Sequence, residues 1–452
     1  MKYSRRSFVR LTGTAGLAAV SLPLLHGNDP VLPVPEVINP YNRVPVSLII
    51  DDSTCLVNMA HFGIPQFAEV FPDQYKQNWR MLPREIPDSF VREFGEWCLA
   101  NGIKGKYSIV PYPACTGWIN RFIPGWTKSE LQQSINLVRE VIVPNWDIHP
   151  EMVSHTRVID IKTGRPYPYP TPAYMENWEW SQDKSIDELA AYQAYALSIL
   201  KDAGLNCEGV TTPGGYGSRN PDNLAQSALE ALKDVYQVEI PHYFRDMFTE
   251  KGKSVSPKVL YPSGLDGNYP ECVVSIIGCA GDWFGGWDGL EPGDVNKFIT
   301  SDLTSGRMVG VIDSGEPAIM VCHWPGIYFN GEKIGFNILK EIKKRLDQKY
   351  DNLIWMKLSE ISRYWAAKEL TKISVDQNKI FLKAPFSASG FTIRLNNVKI
   401  SKPSISKEGN EKQPLERVKN KKELKELNWY SDKFETVLCL NLEKGSTTIN
   451  LF

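Results

Sequence analysis

From residue 44 to about 366 the chain alternates apolar runs of strand length with longer runs whose apolar residues recur every three or four positions. The strand-like runs are "VSLIID", "GKYSIVPY", "MVSHTRV", "CEGVTTP", "CVVSIIG", "MVGVID" and "AIMVCHW". Helical patterns lie between several of them, at 87–102, 185–204, 220–236 and 332–350. In the second of these, Ile186, Ala190, Ala194, Leu197 and Leu200 fall on one face. The third opens with Asn220 and Pro221, suited to an N-cap and a first helical turn. Such alternation predicts an α/β fold, a parallel sheet covered by helices, either open or closed into a barrel. After Trp365 the pattern changes to short alternating strands, so 369–452 is expected to form a small all-β, sandwich-like accessory domain. A lysine- and glutamate-rich segment at 402–427 is expected to be a solvated loop or short helix. Packing against the α/β part and binding carbohydrate are equally good roles for this second domain.

The N-terminus reads differently from the rest. "SRRSFVRLTGTAGLAAVSLPLL" has a basic start followed by an apolar run, Leu11 to Leu25, too short to span a membrane comfortably. The "SRRSFVR" stretch resembles a twin-arginine translocation signal, which implies export to the periplasm or beyond of a bacterium. Residues 1–28 are therefore expected to be a removable signal, and the proline-rich 29–43 an extended linker to the first strand. Removing 1–28 takes four basic residues and no acid, so the net charge of −1 becomes −5, which speaks against a nucleic-acid partner. No stable membrane span is expected once the signal is gone. The eight cysteines are scattered without a C-x-x-C pair, which argues against a cysteine-ligated zinc. Most are expected to be buried small hydrophobes, with one or two disulfides open in an oxidising compartment.

In parallel α/β folds, functional side chains collect where strands end. The run "SLIIDD" ends in two adjacent carboxylates, Asp51 and Asp52, whose mutual repulsion needs an offset. His155 in "EMVSHT", the glycine- and proline-rich loop "GVTTPGGYGSRNPD" and His323 ending "AIMVCH" occupy comparable positions. Taken singly, each has an ordinary structural explanation: a helix cap, a core histidine, a turn. Two acids and two histidines from separate strand ends also make a donor set for a divalent cation, which would offset the Asp51–Asp52 repulsion.

In that order the residues resemble the polysaccharide deacetylase family, over roughly 44–366. "LIIDD" is similar to the family's T-F-D-D strand end, and "EMVSHT" to its H-[ST]-x-x-H motif. "TTPGGYG" is similar to its arginine-proline loop, and "IMVCHW" to its Leu-His strand. The resemblance implies an irregular (β/α)7 barrel over 44–368 that removes acetyl groups from a glycan with a divalent metal, Zn2+ the first candidate. It further implies that Asp51 is the general base, that Asp52 and His155 bind the metal, and that His323 is the general acid. A backbone N–H of the 211–217 loop would face the developing oxyanion.

Two departures stand out. Position 159, where the motif has its second histidine, is Ile159, with Asp160 beside it, and the loop arginine is replaced by Thr211 and Thr212. His149 and His61 are available as substitute ligands. Pro213, Gly214 and Tyr216 of the loop, with Trp283 and Trp287 of "GDWFGGWDG", are the expected substrate contacts, since aromatic faces stack on sugar rings. The same aromatics, and those of "YMENWEWSQD", would serve equally as loop anchors. Two rival readings stay open: a glycoside hydrolase using carboxylates such as Asp51 and Asp282, and a glycan-binding protein on a degenerate barrel.

Overall fold

The computed structural model describes residues 34–407 and 412–452. The expected export signal lies outside the described residues. The chain is a mixed α/β protein. Four parallel strands of one sheet, β1 (Val44–Asp51), β2 (Gly105–Ser108), β3 (Trp146–His149) and β8 (Ala318–His323), run in the order β8-β1-β2-β3. A short ninth strand, β9 (Leu353–Trp355), also pairs with β1. A second sheet runs β4 (Gly209–Thr211), β5 (His242–Met247), β7 (Glu271–Gly278), β6 (Lys258–Ser263), with only β6 antiparallel.

Backbone contacts join the two sheets at two places. Next to β3, Thr211 donates its N–H to Pro150 O at 3.0 Å, and Glu151 bridges Thr211 in parallel. Next to β8, the N–H of Cys279 reaches Ile319 O at 2.7 Å. Helices 88–100, 186–202, 221–236 and 334–349, all foreseen by periodicity, cover the outside. The parallel strands are buried on both faces, which is why they read as nearly continuous apolar runs.

Two expected strands are not strands. "MVGVID" lies in a helix, Arg307–Asp313, with Met308, Val309, Val311 and Ile312 buried at helical spacing; tertiary packing overrides the β preference of its branched residues. "MVSHTRV" is irregular, because Met152 and His155 take left-handed backbone angles (φ 52° and 64°) that no strand accommodates. The strand there is the preceding "WDIH".

Residues 372–450 form one five-stranded sheet and four strands of a second, which share a core. The 402–427 segment contributes short strands to both, together with a single turn at Lys421–Glu423. Their shared core (Ile380, Leu382, Phe391, Leu438, Leu440, Ile449) is continuous with Ile49, Ile276, Ile319 and Val321 of the parallel strands, through Ile361 and Trp365 of helix 358–370. Within the linker, Glu36–Val37 is not free but adds a strand to one of these sheets, against Ile393 and Arg394. The eight cysteines are free thiols; Cys115 is half-buried and the rest are buried. Among the described residues no helix is long and apolar enough to cross a membrane.

Candidate functional site

The parallel register brings the ends of β1 and β8 level, so that Asp51 lies directly opposite His323. Asp51 points at a residue the sequence reading passed over. Lys106 of β2 is completely buried and forms an ion pair with Asp51 Oδ1. Its ammonium also donates to Ser108 Oγ at 2.6 Å and to Ile50 O at 3.2 Å. An ammonium has three donors, and here all three are used. Lys106 is thus the cation that offsets the Asp51 charge.

Asp52 turns away from its neighbour by adopting φ 56°, so the two carboxylates leave the strand end in different directions. The N–H of Asp52 donates to Glu151 Oε2 at 2.9 Å, and its own Oδ1 lies against His155 Nε2. Glu151 Oε1 is 3.6 Å from that same nitrogen. Asp52, Glu151 and His155 thus present three buried ligand atoms within 4.8 Å of one another. Asp52 Oδ1 and both ring nitrogens of His155 satisfy no hydrogen bond. Two carboxylates and one imidazole converge on one space, and they are a hard-to-borderline donor set that could hold Zn2+ or a similar ion.

Burial pushes the Glu151 carboxyl up to about 7, with the Asp51 charge adding to the effect and His155 opposing it. Burial also works against the charged form of His155, but the surrounding carboxylates of Asp52, Glu151 and Glu176 outweigh it and leave its pKa raised. A cation beside Glu151 would offset the cost of ionising its buried carboxyl.

The loop that carries His155 is held by a carboxylate rather than by a sheet. Glu176 accepts the N–H groups of Val153 and Ser154 at 3.1–3.2 Å and that of His155 at 2.6 Å, and Tyr192 of helix 186–202 donates to it as well. Thr156 ties the same loop to helix 59–70 by donating to Gln66 Oε1 at 2.8 Å. Position 159 does not contribute: Ile159 is buried in the core, and its N–H goes to the Tyr192 hydroxyl. The acidic side chain that joins Asp52 and His155 is instead upstream, at Glu151, four residues before His155. Asp160 caps the following turn through the N–H of Lys162. His61 bonds to Leu82 O and packs edge-on against Trp79, away from the cluster.

His323 Nδ1 is 2.7 Å from Asp282 Oδ2. Burial opposes its charged form, yet Asp282, reinforced by Asp52 and Asp51, raises it to about 10. The imidazole is accordingly a proton donor at neutral pH. In Asp282→Asn the alkaline limb of a pH–rate profile governed by His323 should move down by at least about one unit, worth about 1.4 kcal/mol. A limb that stays in place would show that His323 is not the titrating acid. The same pair stabilises the fold below the ordinary histidine value of about 6.5, and loses that effect as pH rises toward 10.

Trp287 and Trp283 separate in role. Trp287 joins Phe67, Tyr75 and Trp178 in an aromatic wall, with neighbouring ring centroids 5.2–6.2 Å apart, and Phe67 is 6.3 Å from the His155 ring. Trp283 instead packs edge-on against Phe298. In the 209–222 loop Pro213 is buried and Gly214 is exposed with φ 45°. Tyr216, an expected substrate contact, is sealed from solvent beside Trp180, because the loop folds its aromatic inward to fill the space under helix 186–202. The N–H groups of Thr211, Thr212, Gly215, Tyr216 and Gly217 are engaged and Pro213 has none, which leaves the N–H of Gly214 without a hydrogen bond among the described residues.

No family model matches the chain, and no curated protein matches it. Solved structures that resemble it include a CE4 family pseudoenzyme from Bacillus anthracis, 10% identical, covering 72% of this chain and 68% of that one, with a TM-score of 0.29. A glycoside hydrolase family 30 subfamily 8 xylanase from Clostridium acetobutylicum is 11% identical over 92% and 96% of the two chains, at a TM-score of 0.29. An alpha-fucosidase from Thermotoga maritima is 11% identical over 90% and 94%, at 0.30. Likenesses this distant carry no argument, and the site rests on its own geometry.

Proposed function

We propose that the protein is an exported, metal-dependent hydrolase that removes acyl groups, acetyl foremost, from a glycan. In this reading the two parallel sheets curl into one irregular seven-stranded barrel, with β3 beside β4 and β7 beside β8. The site then occupies the carboxyl edge of that barrel. The observation that carries the proposal is the meeting of Asp51, Asp52, Glu151, His155 and His323 at that edge.

Asp52, Glu151 and His155 would hold the cation, which when bound supplies Lewis acidity toward an ester or amide carbonyl and makes water easier to deprotonate. Asp51 accepts the proton of the attacking water, and Lys106 keeps its carboxylate aimed. His323, kept protonated by Asp282, donates to the departing sugar oxygen or nitrogen. The Gly214 N–H is the loop's donor for the oxygen that becomes negative. The Trp287 wall gives a sugar ring a flat apolar face to rest on. A glycoside hydrolase is the weaker reading, because Asp51 and Asp282 each already serve a cationic partner, Lys106 and His323.

Acetate release from a panel of acetylated glycans tests the proposal. Wild-type protein should release acetate, a chelator should stop it, and Asp52→Ala should lower it by at least about 100-fold. New reducing ends without acetate would overturn it in favour of glycosidic cleavage.

A further inference from the structure

A second convergence of ligand atoms lies inside the fold, apart from the carboxyl-edge site. Asp147 and His149 alternate on β3 and point to the same side. His242 opens β5, two strands away. Between them runs β4, and its residue at this level is Gly209, paired with His242. A Cβ at position 209 would come within 2.5 Å of His149 Nε2 and 2.6 Å of His242 Nε2. The missing side chain is what lets the two imidazoles meet across an intervening strand, with their Nε2 atoms 2.9 Å apart.

Asp147 Oδ2 stands 4.0 Å from His242 Nε2, and the three ligand atoms are mutually within 4.8 Å. Both histidines are completely buried. The other ring nitrogen of His149 is oriented by Thr211 Oγ1 at 3.2 Å. Asp147 is fixed by the N–H and hydroxyl of Ser359, at 2.6 and 2.8 Å, where helix 358–370 begins. The buried Asp147 carboxylate faces two imidazole nitrogens with no lysine or arginine in ion-pair contact among the described residues, although the charges of Lys357 and Lys106 reach Asp147 and His149 from a distance.

We infer that Asp147, His149 and His242 form a second, structural metal site that takes a single borderline divalent cation of the Zn2+ class. Two imidazoles and a carboxylate are a zinc donor set, and Thr211 and Ser359 supply the outer hydrogen bonds that orient such ligands. Two nitrogens on one tetrahedral zinc sit roughly 3.3 Å apart, for Zn–N of about 2.0–2.1 Å, so the observed pair needs to open by only a few tenths of an ångström. The ion would staple β3 to β5 beneath the carboxyl-edge site, and through Asp147 to the helix that leads into the C-terminal sheets. This inference does not depend on the proposed hydrolase function.

Full-length Asp52→Ala, expressed with added Zn2+ and passed over a chelating resin, isolates this site by disabling the other. It should retain one zinc per chain, and zinc-edge X-ray absorption should show two imidazole ligands, which the carboxyl-edge cluster with its single histidine does not provide. Adding His242→Gln should remove that zinc. Folded Asp52→Ala without zinc, or with a zinc bearing fewer than two imidazoles, would overturn the inference and leave the pair as an imidazole–imidazole hydrogen bond. Should the double variant not fold, the absorption spectrum of Asp52→Ala decides alone. Wild-type protein with one zinc, all of it lost on Asp52→Ala, would sink this site while sparing the outer one.

Discussion

Lys106→Met should destabilise the protein by about 3–5 kcal/mol, because it leaves the Asp51 carboxylate buried without its cation. The measurement is the denaturant midpoint at constant slope. The same substitution should lower hydrolysis at least about 100-fold, since Asp51 loses the contact that aims it. Asp51→Asn combined with Lys106→Met should recover much of the stability, because neither charge is then stranded, but none of the activity. The split between the two readouts matters. A stability loss that the double variant fails to recover would mean that Lys106 acts by packing, and that Asp51 has no special dependence on it.

That lysine also shows where sequence reasoning ran out. "GKYSIV" was legible as a strand, and a lysine in the middle of a run buried on both faces was a signal in itself, since a charge there needs a partner. What the sequence does not contain is the side-chain packing that carries the Lys106 ammonium to Asp51, although the register sets Lys106 opposite Ile49 and Asp147. The pairing of Asp51 with Asp52 was legible as an electrostatic problem. Its resolution was not, because it depends on the left-handed turn at Asp52 and on a loop pinned by Glu176 from 21 residues downstream of His155. Alternating strands and helices marked out the architecture well, except where branched residues sit in the helix 307–313 and where positive φ values break the expected strand around His155. His242 escaped notice because "HYFRDM" lacks a clear strand pattern, so its meeting with His149 across Gly209 is a purely tertiary fact.

Glu151→Ala should weaken metal binding by more than the roughly 10- to 100-fold typical of losing an outer hydrogen-bond partner, because a ligand atom itself is removed. It also strands the Asp52 N–H, so the positions of the remaining two ligands should loosen. Competition with a chromogenic chelator reads the affinity directly. Ile159→His is the informative contrast. It restores the histidine of the resembled motif by spacing, yet puts an imidazole among Tyr192 and the core apolar residues, out of reach of Asp52. It should add no affinity and should destabilise the fold by about 1–3 kcal/mol through the buried polar group. Tighter metal binding by Ile159→His, or unchanged binding by Glu151→Ala, would place the third ligand downstream after all.

The central claim is that one cation is shared by Asp52, Glu151 and His155 beside the Asp51–His323 pair. Anomalous diffraction at the zinc edge, from crystals of the full chain grown with Zn2+, tests it most directly. A peak at about 2.0–2.2 Å from an oxygen of Asp52, an oxygen of Glu151 and Nε2 of His155 is the expected result. Density with no anomalous peak there, and Asp52 hydrogen-bonded straight to the His155 ring in zinc-saturated crystals, would contradict it.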